Sequence, residues 1–412
     1  MTSEMDRAPE GRRELPAWLW SLILLLVVCL PRATIDAYLP SLPAMAVALG
    51  ATDTQLQLTL TLYMAGYALS MLLCGPLADR YGRRPVLIGG LLLYVLASVA
   101  CALASSAPLI IAARMLQALG GCSGTVIGRV MVRDRFSVQA QAGMLSRLSM
   151  GMALSPVIAP LVGSLIDAAL GWRWVFIVLT GLACLALTLV AALVPETATR
   201  QTQRPSLAGV LRIYGGLLQD GYFLRYALAI SFVYCTYFPY IAESSVLLQR
   251  LMHLSPMAYA LTFGATVTGY LAGSQVFRRL TRRHSADTLI GRAVGVSLAG
   301  SCLLVLATSR FPLSLLALAG PMVLIMFAVG IAIPACQLAV LQPYGAAAGT
   351  VSGFFFFVQM AITAACSLLV GALSDGTVAP MAWTTLSASL AFGGLWMLCR
   401  PRPAADASGV AI

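Results

Sequence analysis

GPLADRYGRRP, residues 75 to 85, sets one carboxylate and three arginines between two long apolar segments. Apolar residues run from about Leu56 to Cys74 and again from Val86 to Ala104. At about 1.5 Å rise per residue, each run is long enough as a helix to cross a hydrocarbon core of roughly 30 Å. The stretch therefore reads as a short connection at a membrane surface. Gly75 and Gly82 allow close backbone approach and a sharp turn, and Asp79 is placed to accept from helix N-terminal amides or to pair with Arg83, with Arg80 and Arg84 beside it.

Composition agrees. In 412 residues, 59% are hydrophobic and 10% charged, and the mean hydropathy is +0.88. A soluble protein carries about a quarter charged residues. The formal net charge of +11 comes from 26 basic residues, all arginine, gathered in short segments between apolar runs. They read as topology signals and not as a nucleic-acid surface. The ten cysteines fall inside apolar segments without a CxxC, as packing residues. No phosphate loop, metal-spaced Cys/His set or nucleophilic triad is present, so neither an enzyme, a metal nor a cofactor is expected. The first apolar run lacks a small-residue cleavage site and is expected to stay as an uncleaved first helix.

Hydropathy predicts an all-α integral membrane protein with twelve spans, near 17–37, 54–77, 86–105, 108–131, 141–167, 172–194, 224–247, 257–277, 288–308, 312–341, 348–373 and 379–399. The expected organisation is an N-terminal segment 1–16, a six-helix bundle 17–194, a central loop 195–223, a second bundle 224–399 and a tail 400–412, with the first segment, the central loop and the tail cytoplasmic. That topology places twenty-one arginines on the inner side and three on the outer, leaving Arg32 and Arg114 in the membrane. QLTLTLYMAGYALS at 57–70 is echoed by YALTFGATVTGYLAGS at 259–274, and the arginine loop after the second span recurs as RRLTRRHS after the eighth, without its aspartate. Internal duplication of this kind is a transporter feature, with the site near the midplane between halves.

Ionisable groups inside a bilayer are costly and mark pathways or partners. Asp36 and Arg114 come out at similar depth on the first and fourth spans and are placed to meet, while Arg32, four residues before Asp36, offers a competing partner. Burial favours a neutral carboxyl and a nearby arginine an ionised one, so such a group exchanges a proton as its pair is made and broken. The alternative is a carboxylate that caps the helix end or pairs structurally with Arg32. Glu243, in the seventh span, is the other acid placed within the membrane.

Gly75, Leu77, Ala78, Asp79, Arg80, Gly82, Arg83 and Arg84 match the loop signature of the major facilitator superfamily, between its second and third helices. IDAYLPSLP at 35–43, RMLQALGG at 114–121 and VMVRDRF at 130–136 resemble the twelve-helix drug and proton antiporters of the Bcr/CflA group. SPVIAPLVGS, with Pro156, Pro160 and Gly163, resembles the antiporter motif of the fifth helix. Arg32, Ala118 and Ser155 depart from the group's pattern. The resemblance implies the major facilitator fold, two six-helix halves rocking about a central site in the cytoplasmic membrane, and function as a monomer in lipid. It makes Asp36, Arg114, Glu243 and Arg32 the candidate proton-coupling residues. Tyr38, Gln117, Tyr234, Tyr237, Phe355 and Gln359 become candidates for the cavity wall. Asp79 is expected to latch the two halves at the cytoplasmic side, or else to orient its loop against its own arginines.

FVYCTYFPY at 232–240 and GFFFFVQM at 353–360 supply aromatic faces, which bind flat apolar or cationic molecules with little geometric demand. The expected activity is proton-coupled export of small hydrophobic or amphipathic molecules. The alternatives are a dedicated exporter of a metabolite such as a siderophore, a proton-linked importer, or a non-transporting receptor on the same fold.

Overall fold

The computed structural model of the chain describes residues 16–198, 207–340 and 342–399. The expectations for residues 1–15, 199–206 and 400–412 fall outside the described residues.

In the described residues twelve helices of twenty residues or more follow one another: α1 Ala17–Tyr38, α2 Asp53–Tyr81, α3 Arg83–Ala102, α4 Ala107–Arg135, α5 Val138–Leu170, α6 Trp172–Leu193, α7 Gly221–Ser245, α8 Pro256–Leu280, α9 Ala286–Arg310, α10 Leu315–Val340, α11 Ala348–Leu373 and α12 Ala379–Leu398. Among the described residues, ten are long and apolar enough to span a membrane. The other two, α7 and α8, carry hydroxyl, tyrosine, glycine and charged residues along their length. Short helices Leu42–Leu49 and Leu207–Leu217 lie between long ones.

The helices form two six-helix halves. Within α1–α6, α2 and α3 each pack on α4, α3 on α6, and α1 on α4, α5 and α6; within α7–α12, α10 packs on α7, α8 and α9, and α12 on α7 and α9. The halves meet through α2 against α11 and α5 against α8. One end of the molecule carries the α2–α3, α4–α5 and α8–α9 connections and most of the described loop arginines. It is the arginine-rich end below, and the other is the arginine-poor end.

Local chemistry explains several boundaries. Thr52 and Gln55 form a reciprocal capping box at the start of α2, at 3.2 and 3.0 Å. Residues 78–81, expected beyond the end of the second span, are helical, and the turn contracts to Gly82, whose φ of +101° suits a residue without Cβ. Gly75 sits in the helix with open space around it, so it serves neither turn nor close approach. Helix continues through Pro76 because the carbonyl that proline frees, that of Leu72, accepts the Tyr214 hydroxyl at 3.3 Å. Pro334 in α10 likewise frees the Gly330 carbonyl, which accepts from Ser274 at 3.3 Å. At its arginine-poor end α7 passes into a π-turn, Val246–Leu251.

Candidate functional site

Asp36 is fully buried on α1. Its Oδ2 accepts from Arg32 Nε at 3.1 Å, one helical turn earlier, and from Ser155 Oγ of α5 at 3.2 Å. Oδ1 has no partner among the described residues. The proline- and glycine-rich motif of α5 builds this contact. Gly163 lies so close to the Ala37 carbonyl that an added Cβ would overlap it, which brings α5 onto α1 beside Asp36. Pro156 and Pro160 lie inside the same helix, directly beyond Ser155. Arg32 keeps 20% of its side chain exposed. Tyr67 of α2 and Tyr234 and Tyr237 of α7 are near enough to bear on its charge, so its neighbourhood includes phenols of both halves. Tyr234 and Tyr237 lie 5.2 Å apart, ring to ring.

Arg114 does not meet Asp36. Fully buried on α4, it lies with its guanidinium carbon 4.0 Å from the Tyr38 ring and 4.2 Å from the Tyr63 ring, with Phe176 at 6.0 Å. One nitrogen donates to Gln117 Oε1 at 2.7 Å, while Nε and Nη2 lack hydrogen-bond partners. Each close aromatic face contributes about 0.5–2 kcal/mol to holding such a cation. Gln117 continues to Ser98 at 2.7 Å, within the same half. Tyr38 and Gln117 therefore surround Arg114; Tyr38 also bonds Thr59 at 3.0 Å. Arg32 wins the carboxylate because an i,i+4 spacing puts both groups on one helix face, and Arg114 is drawn instead into the ring cage.

Two candidates for the cavity wall are core residues. Phe355 is 1% exposed and packs edge-on against Phe223. Gln359 is fully buried on α11, with neither amide atom hydrogen-bonded. Phe354 stacks between Tyr214 at 4.6 Å and Phe223 at 5.7 Å, and Phe356 lies 5.6 Å from the Arg129 guanidinium of the first half.

At the arginine-rich end Asp79 bonds Arg83 at 2.6 Å, and Arg83 also bonds Asp134 at 3.2 Å. Among the described residues, Asp79 makes no ion pair across the halves; its contact is with its own loop's arginine. Glu196, which carried no motif, accepts from the backbone amides of Arg83 and Arg84 at 2.9 and 3.2 Å and so caps α3. Arg84 donates to the Ala191 carbonyl at 2.6 Å, while Arg80 lies over Tyr81 at 5.4 Å.

Glu243 is 4% exposed near the arginine-poor end of α7 and accepts from Gln57 Nε2 of α2 at 2.5 Å, across the interface between halves. Three further bonds cross there. Arg250 pairs with Asp53, Gln249 donates to the Pro40 carbonyl at 3.0 Å, and Thr61 meets Ser367 at 2.7 Å. Gln57, Gln249 and Ser155 were not legible as site residues, because each acquires a role only through a partner more than a hundred residues away. Tyr63 and Phe176, which complete the Arg114 cage, escaped because each meets that arginine only across helices more than fifty residues apart in the chain.

The Major Facilitator Superfamily model matches residues 23–365. The chain is 29% identical over 395 residues to an uncharacterised MFS-type transporter, YdgK, of Bacillus subtilis, covering 94% of this chain and 97% of that one. It is 30% identical over 368 residues to a chloramphenicol resistance protein of Pseudomonas aeruginosa, covering 89% and 87%. The crystal structure of a D-xylose–proton symporter superposes with a TM-score of 0.74 at 15% identity, covering 93% of this chain and 98% of that one, a likeness of fold. With its described helices packed in two halves and that model matching most of its length, the chain belongs to the Major Facilitator Superfamily and is a multi-pass membrane transporter.

Proposed function

We propose that this transporter is a proton-coupled antiporter of the Bcr/CflA type, exporting small hydrophobic or amphipathic molecules across the cytoplasmic membrane by alternating access. The observation that carries the reading is Asp36. Its carboxylate is fully buried, one oxygen is shared by Arg32 and Ser155, and the other is unpartnered. A buried charge must be paired or neutralised. A proton on Asp36 removes the charge that holds Arg32, whose neighbourhood includes tyrosines of both halves.

In this scheme a proton arriving from outside neutralises Asp36, weakens its hold on Arg32 and α5, and favours release of cargo. Loss of that proton to the cytoplasm restores the pair. Each proton moved inward is worth about 2.3 kcal/mol per 100 mV, enough to bias a two-state carrier. The positive-inside rule puts the arginine-rich end, residues 195–223 and the tail in the cytoplasm. The similarity to a chloramphenicol resistance protein supports a small amphipathic cargo. A dedicated exporter of one acidic metabolite is the second reading, favoured by the partial exposure of Arg32.

A substrate panel tests this in cells lacking other pumps, by growth resistance and efflux with and without a protonophore. Efflux of several unrelated amphipathic compounds, abolished by the protonophore, is expected. Export of one acidic compound alone selects the second reading, and protonophore-insensitive export refutes coupling.

A further inference from the structure

The arginine loop recurs in the second half with its counter-charges missing. In the first half Arg83 is held by Asp79 and Asp134, and Glu196 takes the amides of Arg83 and Arg84. In the second half Arg278, Arg279, Arg282 and Arg283, with Gln275 and Leu280, line one cavity of about 540 Å³ at the arginine-rich end. All four arginines are exposed, and among the described residues no carboxylate pairs with any of them. The nearby acid at the start of α9, Asp287, is engaged by Arg225 at 3.6 Å and by the Tyr226 hydroxyl. Four converging guanidinium groups without an internal counter-ion call for an external anion, and their planar forks suit phosphate oxygens.

A second observation selects the kind of anion. Further along α8, an open apolar recess of about 390 Å³ lies between α8 and α10, lined by Thr268, Gly269, Ala272, Val323, Leu324 and Phe327. Close packing of Gly269 on the Val323 carbonyl and of Gly273 on the Phe327 carbonyl forms its floor. Thr268, Ala272, Gln275 and Arg279 are exposed and follow one another at spacings of four, three and four residues, which is a single face of α8. The stripe rises about 16 Å at about 1.5 Å per residue, close to one leaflet of a core roughly 30 Å thick. An apolar recess followed along the same helix face by a cationic cup complements the acyl chain and the anionic headgroup of a phospholipid.

We infer that the cup formed by Arg278, Arg279, Arg282 and Arg283 and the α8–α10 groove form a binding site for one anionic phospholipid, phosphate in the cup and an acyl chain along the groove. The site lies on the outer surface of the second half and is independent of the cargo.

The test measures binding of phosphatidylglycerol and phosphatidylcholine to delipidated, detergent-purified full-length protein by native mass spectrometry, with inorganic phosphate as competitor. A guanidinium beside an anionic lipid surface is worth about fivefold in affinity. Arg279→Gln with Arg282→Gln is therefore expected to weaken phosphatidylglycerol about thirtyfold and to leave the weaker phosphatidylcholine unchanged. Ala272→Trp, which fills the groove but keeps every charge, is expected to weaken phosphatidylglycerol as well. All altered side chains are exposed, and matched melting curves verify folding. Equal binding of the two lipids by wild type, undiminished phosphatidylglycerol binding in the arginine variant or in Ala272→Trp, or its full displacement by millimolar inorganic phosphate would each overturn the assignment. The last outcome would identify a simple anion site.

Discussion

The bonds that tie the halves at the arginine-poor end make a quantitative prediction about which state the carrier occupies. Gln57 and Glu243 are each 4% exposed and lie 2.5 Å apart across the interface. Hydrogen bonds to a charged group contribute about 1.5–3 kcal/mol. The Arg250–Asp53 pair is 35% and 36% exposed, so water screens it and it adds no more than about 0.5 kcal/mol. The double variant Gln57→Ala with Arg250→Gln therefore costs the state closed at this end about 2–3 kcal/mol, or roughly 30- to 150-fold in the equilibrium. A state open at this end and populated at about 1% would rise to between roughly a quarter and three-fifths. Spin labels at Thr54 and Met257, on opposite halves, report the shift once the exposed Cys184, Cys302 and Cys399 are replaced. An unchanged distance distribution in a variant that melts like wild type would refute these bonds as the tie.

Two further outcomes follow from single contacts. Gly163→Val drives a branched side chain into the Ala37 carbonyl, so the variant is expected to be lost from the membrane or to elute as aggregate in size-exclusion chromatography, with Gly163→Ala intermediate. Glu196→Gln removes the anion from the amides of Arg83 and Arg84; thermal melting in detergent should show a loss of about 0.5–1 kcal/mol, as expected for a charge at a helix N-terminus.

Much of the fold was legible because a bilayer admits few solutions: long apolar runs must be helices, and the arginines between them mark one side. The GPLADRYGRRP motif was recognisable as a pattern, yet its shape was not. Gly75 and Gly82 suggested a turn across the stretch, whereas the helix runs on to Tyr81, with the carbonyl that Pro76 frees satisfied by Tyr214 far along the chain. The candidate site divides in the same way. Asp36 and Arg32 stand four residues apart, and helical periodicity alone brings them together. Arg114 looked like a partner for Asp36 because depth in the membrane is readable from sequence, but rotation about the helix axis is not. The ring cage of Tyr38, Tyr63 and Phe176, drawn from three other helices, exists only in three dimensions. Asp79 likewise had a partner of either kind available, and the structure joins it to Arg83 of its own loop.

Asp36→Asn separates proton coupling from cargo movement. The amide keeps the size of the carboxylate and can still meet Ser155, but it cannot titrate. In proteoliposomes loaded with a compound that wild-type cells export, the account predicts that an imposed pH gradient no longer drives uptake or counterflow by the variant, while gradient-free exchange of the compound persists. Wild-type rates of gradient-driven transport in Asp36→Asn would contradict the account and move the proton to another acid, with Glu243 first in line.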